Sequence, residues 1–386
     1  MEKLIRITTV PVSLLILLKS QLKFMSTHYE VIAVSSGGEM LDQVAEQTGV
    51  KTVPIEMTRQ ITPFRDLIAL WSLYKLIKKE RPKFVHTHTP KAGLLGMIAA
   101  SMAGVPVRLH TVAGMPLLES TGLKRKVLDV VEKITYGFAT KVYPNSNQMK
   151  NIILENNYCK SSKLHVIGNG SSNGIDTSYF NSNLFVDKGT SNLAAKIKLR
   201  EAYGIEKDTI VYCFVGRMVK DKGLKELTKA FIEINSARPE TRLLLVGPFE
   251  NELDPLDAFT DGQVKNHPAI SWVGFQKDVR PYFFVSDIFV FPSYREGFPN
   301  VVMQAGAMGL PCIVSDINGC NEIIVNYENG IIIPAKNDND LKLAMAKLYD
   351  DTQLRAKLAR NSRAMILSRY DQNYIWGELL REYQLN

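Results

Sequence analysis

TIVYCFVGRMVKDKGLKEL, residues 209–227, reads as a buried strand running directly into a helix. An unbroken apolar run is the pattern of a parallel strand covered on both faces, and Gly216 ends it. From Gly223 to Asn235 the apolar positions follow a helical period, so the stretch is one βα unit. The same unit recurs on its carboxyl side, where RLLLVG, ISWVGF, DIFVFPS, PCIVSD and GIIIPA alternate with helical segments such as Asp338–Leu348. On its amino side LIRITT, YEVIAVS, KTVPI, KFVHTH, VRLHT, KVYPN and KLHVIG alternate in the same way. Between the two series, GNGSSNGIDTSYFNSN at 168–183 carries neither period and reads as a hinge. The fold class expected is α/β, with two doubly wound, Rossmann-like domains facing a central cleft. Their expected bounds are 1–185 and 186–367, with a terminal helix at about 368–386 crossing back through Tyr370, Ile375, Trp376 and Tyr383.

Composition is consistent with this. A chain of 386 residues exceeds roughly 100–200 residues per domain, so two domains are expected. With 45% apolar and 22% charged residues it is neither disordered nor fibrous. No apolar stretch reaches the roughly 18–20 residues of a membrane span. The start MEKLIRITTVPVSLLILLKS superficially looks like a secretory leader, but Pro11 interrupts its apolar core and no small-residue cleavage site follows, so it reads as mature structure. Of four cysteines, Cys159, Cys213, Cys312 and Cys320, none forms a CxxC pair, which fits a reducing cytoplasm.

Charge is asymmetric. Residues 1–185 hold 22 Lys/Arg against 13 Asp/Glu, and the remainder 25 against 26. A basic first half points to an anionic phosphate-bearing substrate or an acidic lipid surface. Nucleic acid is not expected, because no dense basic arm with interleaved aromatics is present.

Two segments carry the chemistry. After Gly216, Arg217 offers a planar fork and Lys222 a mobile point charge at a strand's carboxyl end, where phosphate binds. In FPSYREGFPNVVMQAGAMGLPCIVSD, a strand is followed by Glu296, Gly297, Phe298 and Pro299, and then by a helix opening at Asn300 and Val301. Free amides at that helix start make an anion site, so a diphosphate is gripped between it and Arg217/Lys222. Glu296 repels phosphate and is better suited to accepting hydrogen bonds from sugar hydroxyls or balancing positive charge at an anomeric carbon.

The order and spacing of these segments resemble the retaining, nucleotide-sugar-dependent glycosyltransferases of the GT-B fold, of the family 4-like bacterial polysaccharide and lipid-linked oligosaccharide type. The resemblance implies that Gly216, Arg217 and Lys222 bind the donor diphosphate. It also implies that two Glu separated by seven residues contact the donor's sugar and ribose. Glu296 holds the first place; Gln304 holds the second, where an amide bonds ribose hydroxyls without charge assistance. Gly247, after RLLLVG, resembles the turn beside the nucleoside, where a missing side chain allows close approach.

In the amino-terminal half Pro11 lies where the family commonly has glycines, and Ala113 occupies its usual His place, with His110 nearby. HTHTPKAG, TVAGMP and VIGNGSSNGID resemble members that extend undecaprenyl-diphosphate-linked sugars, some of which transfer N-acetylgalactosamine. That resemblance makes Pro11, Lys91 and His110 the acceptor-side candidates, with Lys91 at a helix start holding acceptor diphosphate. His110 also reads as a packed strand histidine. Val12–Met25 places Leu15, Leu18, Leu22 and Met25 at core spacing while Ile16, Leu17 and Phe24 lie off it beside Lys19 and Lys23, the mark of an interfacial helix or of one buried on both sides. LKRK at 123–126 adds positive charge toward anionic headgroups.

No cofactor and no metal are expected. GNGSSNG is not a dinucleotide fingerprint, Asp338-Asn339-Asp340 reads as a helix cap, and no His/Cys/carboxylate cluster has metal-ligand spacing. The expected function is retaining glycosyl transfer, of a hexose or N-acetylhexosamine, from a UDP-sugar to a lipid-diphosphate-linked acceptor at the inner face of the plasma membrane. The rivals are a nucleotide-sugar epimerase on the same fold and a non-catalytic sugar-nucleotide binder at a membrane surface.

Overall fold

The structure is a computed structural model that describes every residue except Pro116, Leu118, Glu119, Asn251, Leu253 and Asn386, so the end of the TVAGMP motif lies outside the described residues. The chain forms two compact units, Met1–Gly174 with Gln372–Asn386, and Ile175–Asp371. The division falls within the Ser/Asn/Gly-rich stretch at 174/175, ahead of the expected 185/186, and the return crossing is at 371/372.

The first unit holds six parallel strands: β1 (Lys3–Ile7), β2 (Glu30–Ser35), β3 (Lys51–Pro54), β4 (Phe84–Thr87), β5 (Val107–Val112) and β6 (Lys141–Pro144). Their order is β3-β2-β1-β4-β5-β6. KLHVIG is not a seventh strand. Leu164 makes a single bridge to Val142, and the chain then turns at Gly168. The helices are α1 (Lys19–Met25), α2 (Glu39–Thr48), α3 (Pro63–Glu80), α4 (Pro90–Met102), α5 (Gly122–Phe138) and α6 (Asn147–Glu155). Right-handed crossovers place α1 and α2 on one face and α3, α4 and α5 on the other, because the strand order reverses direction at β1. The two cores agree: Leu22, Leu41 and Val44 pack on one side of the sheet, and Leu73, Ile77, Leu95 and Tyr136 on the other.

Ahead of α1, Ser13–Leu18 forms a π-helical turn. Its wider spacing buries Leu14, Leu18, Leu22 and Met25, so Leu14 takes the core place expected for Leu15, while Ile16 and Leu17 stay exposed.

The second unit repeats the design with β7 (Ile210–Val215), β8 (Thr241–Val246), β9 (Ile270–Trp272), β10 (Ile288–Phe291), β11 (Cys312–Ser315) and β12 (Gly330–Ile333), ordered β12-β11-β10-β7-β8-β9. Its helices are α7 (Asn192–Ala202), α8 (Leu224–Ala237), α9 (Ala258–Asn266), α10 (Arg280–Val285), α11 (Asn300–Ala307), α12 (Cys320–Ile323), α13 (Asp338–Asp350) and α14 (Thr352–Tyr370). Side-chain caps start several of them: the side chains of Ser191, Asp257, Asn337 and Asp351 accept from the amide three residues on. At α13 the cap is Asn337, one residue ahead of the Asp-Asn-Asp triplet, and Asp338 pairs with Lys229 at 2.6 Å.

After α14 ends at Tyr370, the last helix α15 (Gln372–Gln384) belongs to the first unit, burying Ile375, Trp376, Leu379 and Tyr383 there. Tyr370 stays in the second unit, its hydroxyl donating to Glu322 O at 2.9 Å.

Candidate functional site

In the second unit the sheet order reverses between β7 and β10, which pair through Ile288↔Tyr212 and Phe289↔Cys213. At such a reversal the loops after the two strands diverge and leave a crevice for a ligand. The loop after β7 carries Gly216, Arg217 and Lys222, and the loop after β10 carries Glu296, Gly297, Phe298 and Pro299 ahead of α11, while Gly247 follows the neighbouring β8.

Backbone packing fixes their positions. Gly216 N donates to Val246 O at 2.9 Å, extending the β7–β8 ladder by one residue. Gly247, at φ 142°, lies so close that a Cβ there would stand 1.8 Å from Gly216 O. Gly223, at φ 70°, brings the start of α8 against the loop after β10, where a Cβ would meet Pro292 O at 2.1 Å. No other residue type permits either approach. Across this contact Tyr294 N donates to Asp221 O at 2.8 Å, and Arg295 pairs with Asp221 at 3.0 Å.

The clamp brings together Lys222 and Glu296, 74 residues apart in sequence. Lys222 Nζ lies 2.5 Å from Glu296 Oε1, and Ser293 Oγ donates to the same oxygen at 3.0 Å. Their side chains are 13% and 17% exposed, so the pair is shielded but not fully buried. Arg217 is more accessible, 42% exposed, and its guanidinium pairs with Glu250 at 2.6 Å; that hydrogen bond raises its pKa further. The loop after β11 holds the other side: Asn318 Nδ2 donates to Glu296 O at 3.1 Å and to Gly297 O at 2.5 Å. Phe298 packs on the Tyr370 ring, centroids 5.4 Å apart. Pro299 precedes α11, and no side chain caps the helix there. The amides of its first turn, from Asn300 and Val301, are therefore left for a ligand. Gln304 lies one turn into α11, half-buried. Trp272 Nε1 donates to Gly247 O at 2.8 Å, steadying the turn expected beside a nucleoside.

The structure thus brings Gly216, Arg217, Lys222, Gly247, Glu296 and the start of α11 to one sheet edge. Sequence reading missed the partners Glu250, Ser293 and Asn318. Ser293 was legible, lying three residues before Glu296 in the same loop; nothing local marks Glu250 or Asn318.

In the first unit the loops after β1 and β4 also meet at a reversal of strand order. Thr9 N donates to Thr89 Oγ1 at 3.0 Å, and His88 N donates to Ile7 O at 3.1 Å. Pro11 follows directly at the helix entry. His110 lies within β5, buried, its Nδ1 2.7 Å from Thr87 Oγ1, and burial pushes its pKa down to about 4. It is packed inside the unit, which favours the strand-histidine reading over the acceptor-side one. Lys91, second residue of α4, pairs with Asp66 at 2.6 Å and also reaches Thr62 Oγ1 and Gln60 O. It ties α4 to the entry of α3 in this state.

Sequence reading also missed a buried polar cluster here. Arg6 donates to Tyr383 Oη at 2.8 Å and to Gln21 Oε1, with no carboxylate partner among the described residues. His86 lies 2.5 Å from Tyr383 Oη and 2.7 Å from Thr111 Oγ1, and its ring stacks on His88 at 4.3 Å. Burial, and then the neighbouring positive charges, hold both imidazoles well below their usual range. The alternation in HTHT was the available signal, since a two-residue period puts His86 and His88 on one face. Among the described residues no three His, Cys, Asp or Glu come together as a metal site.

Comparison with known proteins fits both units. Residues 195–365 match the model described as glycosyl transferases group 1, and residues 25–170 match a glycosyl transferase 4-like domain. The chain is 33% identical over 384 residues to the capsular polysaccharide biosynthesis glycosyltransferase CapM of Staphylococcus aureus, covering 99% of this chain and 97% of that one. The chain belongs to this glycosyltransferase family. Another member, 34% identical over 86% of this chain and 83% of its own, is the UDP-Gal:alpha-D-GlcNAc-diphosphoundecaprenol alpha-1,3-galactosyltransferase of Escherichia coli. Among solved structures, Anabaena Alr3699/HepE in complex with UDP superposes with a TM-score of 0.81 at 17% identity, each chain covered completely. The fold of the family, GT-B, is therefore the fold of this chain.

Proposed function

We propose that this glycosyltransferase moves a sugar, a hexose or N-acetylhexosamine, from a UDP-sugar to a lipid-diphosphate-linked acceptor, with retention of configuration. The observation that carries the reading is the shielded Lys222–Glu296 pair at the β7/β10 reversal, beside Arg217 and the uncapped start of α11. Three positive features converge where a departing diphosphate needs charge stabilisation, and one carboxylate is held among them. On donor binding Lys222 turns part of its charge to phosphate oxygens. Glu296, still held by Ser293, then accepts hydrogen bonds from sugar hydroxyls. Gln304 bonds the ribose, and Gly247 admits the nucleoside.

In the reaction the anomeric C–O bond to phosphate breaks, and UDP leaves with the electron pair. The acceptor hydroxyl oxygen bonds to the anomeric carbon, and its proton passes to a donor phosphate oxygen, so no enzymic nucleophile or base is invoked. Lys91 and Pro11 are the acceptor-side candidates, Lys91 exchanging Asp66 for the acceptor's diphosphate. The lipid acceptor, like that in the Escherichia coli relative's name, implies work at the inner face of the plasma membrane. No helix among the described residues is long and apolar enough to cross that membrane.

The test is a panel of UDP-sugars against undecaprenyl-diphosphate-linked acceptors, read by mass spectrometry, with NMR of the product's anomeric configuration. Interconversion of donor without acceptor would establish the epimerase reading instead. UDP binding without UDP release across the panel would establish a non-catalytic binder.

A further inference from the structure

Helix α3 packs on the sheet through Ala69, Leu73 and Ile77, yet a second apolar stripe on it faces solvent. Phe64, Leu67, Ile68 and Trp71 fall at i, i+3, i+4 and i+7 and are 85%, 62%, 68% and 52% exposed. A surface helix ordinarily turns polar residues outward, so this stripe departs from the rule. Helix α5 repeats the departure with Leu123, Val127, Val130 and Ile134, all exposed. Between them α4 carries no charge after Lys91, and the residue it leaves most open at its far end is Met102. The three helices lie side by side on one sheet face, so the exposed apolar stripes of α3 and α5 belong to one layer, with α4 largely buried between them.

The charges around this layer are of one sign. Arg65, Lys75, Lys78 and Lys79 on α3 and Lys124, Lys126 and Lys133 on α5 are exposed and make no ion pair among the described residues. Each acidic group on these helices is neutralised or turned inward. Asp66 pairs with Lys91, and Glu80 is buried between Lys3 and Lys51. Asp129 pairs with Arg125, and Glu132 is buried. The exposed face therefore combines apolar side chains with an unbalanced cationic collar.

We propose that the α3–α4–α5 face is the surface by which this chain docks on an anionic bilayer, its aromatic and aliphatic side chains entering the headgroup boundary and its lysines meeting acidic headgroups. A second copy is the poorer occupant, because a two-fold contact through this face would set one cationic collar against another. An acidic lipid surface neutralises the collar while covering the apolar stripes. The placement differs from the Val12–Met25 segment considered from sequence, where Ile16 and Leu17 make only a small apolar knob on the opposite helical layer. The inference rests on the lipid-linked acceptor proposed above only in giving the docking a purpose.

The full chain is floated with vesicles of phosphatidylglycerol and phosphatidylethanolamine, and with neutral phosphatidylcholine vesicles as control. The wild type is expected to float with the first and remain below with the second. Phe64→Ser with Leu67→Ser and Trp71→Ser should cut vesicle binding at least about tenfold. Replacing Lys124 and Lys126 by Gln should cut it about fivefold per lysine. Trp71, the most exposed of the three tryptophans, should be quenched by brominated acyl chains, and Trp71→Phe should remove that quenched component. These substitutions are on exposed positions, and unchanged thermal midpoints confirm that the variants fold. Variants that float like the wild type would overturn the proposal, as would a salt-stable dimer dissolved by the triple substitution. Transfer to a water-soluble short-chain acceptor separates the two readings. Retained transfer with no vesicle binding overturns the docking face alone. Normal flotation with no transfer to any acceptor overturns the function alone.

Discussion

Replacing Lys222 by Met removes the cation from a shielded pair and leaves Glu296 with Ser293 as its nearest partner. Breaking a fully buried pair costs about 3–5 kcal/mol; with 13% and 17% of the two side chains exposed and Ser293 still donating, about 2 kcal/mol is expected here. For a unit the size of Ile175–Asp371 that lowers the thermal midpoint by about 4–8 °C. Turnover should fall further than stability explains, by about 10²–10³-fold at temperatures where the variant is folded, because a charge facing the departing diphosphate is gone. The double variant Lys222→Met with Glu296→Gln separates the two effects. It removes the orphaned charge and should recover most of the midpoint while recovering no turnover. The assays are differential scanning fluorimetry and UDP release in the presence of acceptor. Normal turnover in Lys222→Met would refute the role of the lysine, and a double variant as unstable as the single one would refute the account of the pair.

Arg217→Ala should behave differently, because its pair with Glu250 is largely solvent-exposed: stability changes by less than about 1 kcal/mol. UDP affinity measured by calorimetry should nonetheless weaken about 10–100-fold. Gly247→Ala should cost more than about 4 kcal/mol and give little folded protein, since its Cβ would overlap Gly216 O at 1.8 Å. Gly262→Ala, in α9 with open space around it, should be neutral or stabilise by up to about 1 kcal/mol in urea titrations. For His110 the folded pKa is about 4 against 6.5 ordinarily, so the unfolded chain binds more protons between those values and stability falls as pH falls. That histidine alone should remove about 2 kcal/mol between pH 7 and pH 5, with His86 and His88 shifting the same way; a urea midpoint that does not fall over this range would refute it.

Most of the fold was legible because parallel strands buried on both faces need unbroken apolar runs, and five of the six strands of the second unit carry one, the edge strand β9 being interrupted by Ser271. KLHVIG has the same local look but fails as a strand, since β6 already ends the sheet and only Leu164 finds a bridge. Leu14 displaced Leu15 from the core because a π-helical turn changes the spacing, and residue types alone did not mark that turn. Arg217, Lys222, Glu296 and the start of α11 were legible as a candidate site because charged groups next to strand ends and an uncapped helix start have few structural uses. Lys91 and His110 were legible as polar residues near strand ends, but not their engagement: Asp66 lies 25 residues from Lys91, and Thr87 faces His110 only through the β4–β5 pairing.

By itself the sequence determined the two βαβ series, the break between them and the glycines that let their loop backbones touch, because periodicity and backbone freedom are local properties. Only the tertiary structure decided which charges meet. Lys222 finds Glu296 because β7 and β10 are neighbours at the reversal of strand order, and Arg6 finds Tyr383 because the last helix returns to the first unit. The tertiary structure also decided which apolar stripe of α3 is covered. Both stripes satisfy the helical period, and only the sheet's position selects Leu73 and Ile77 for the core and leaves Phe64 and Trp71 outside.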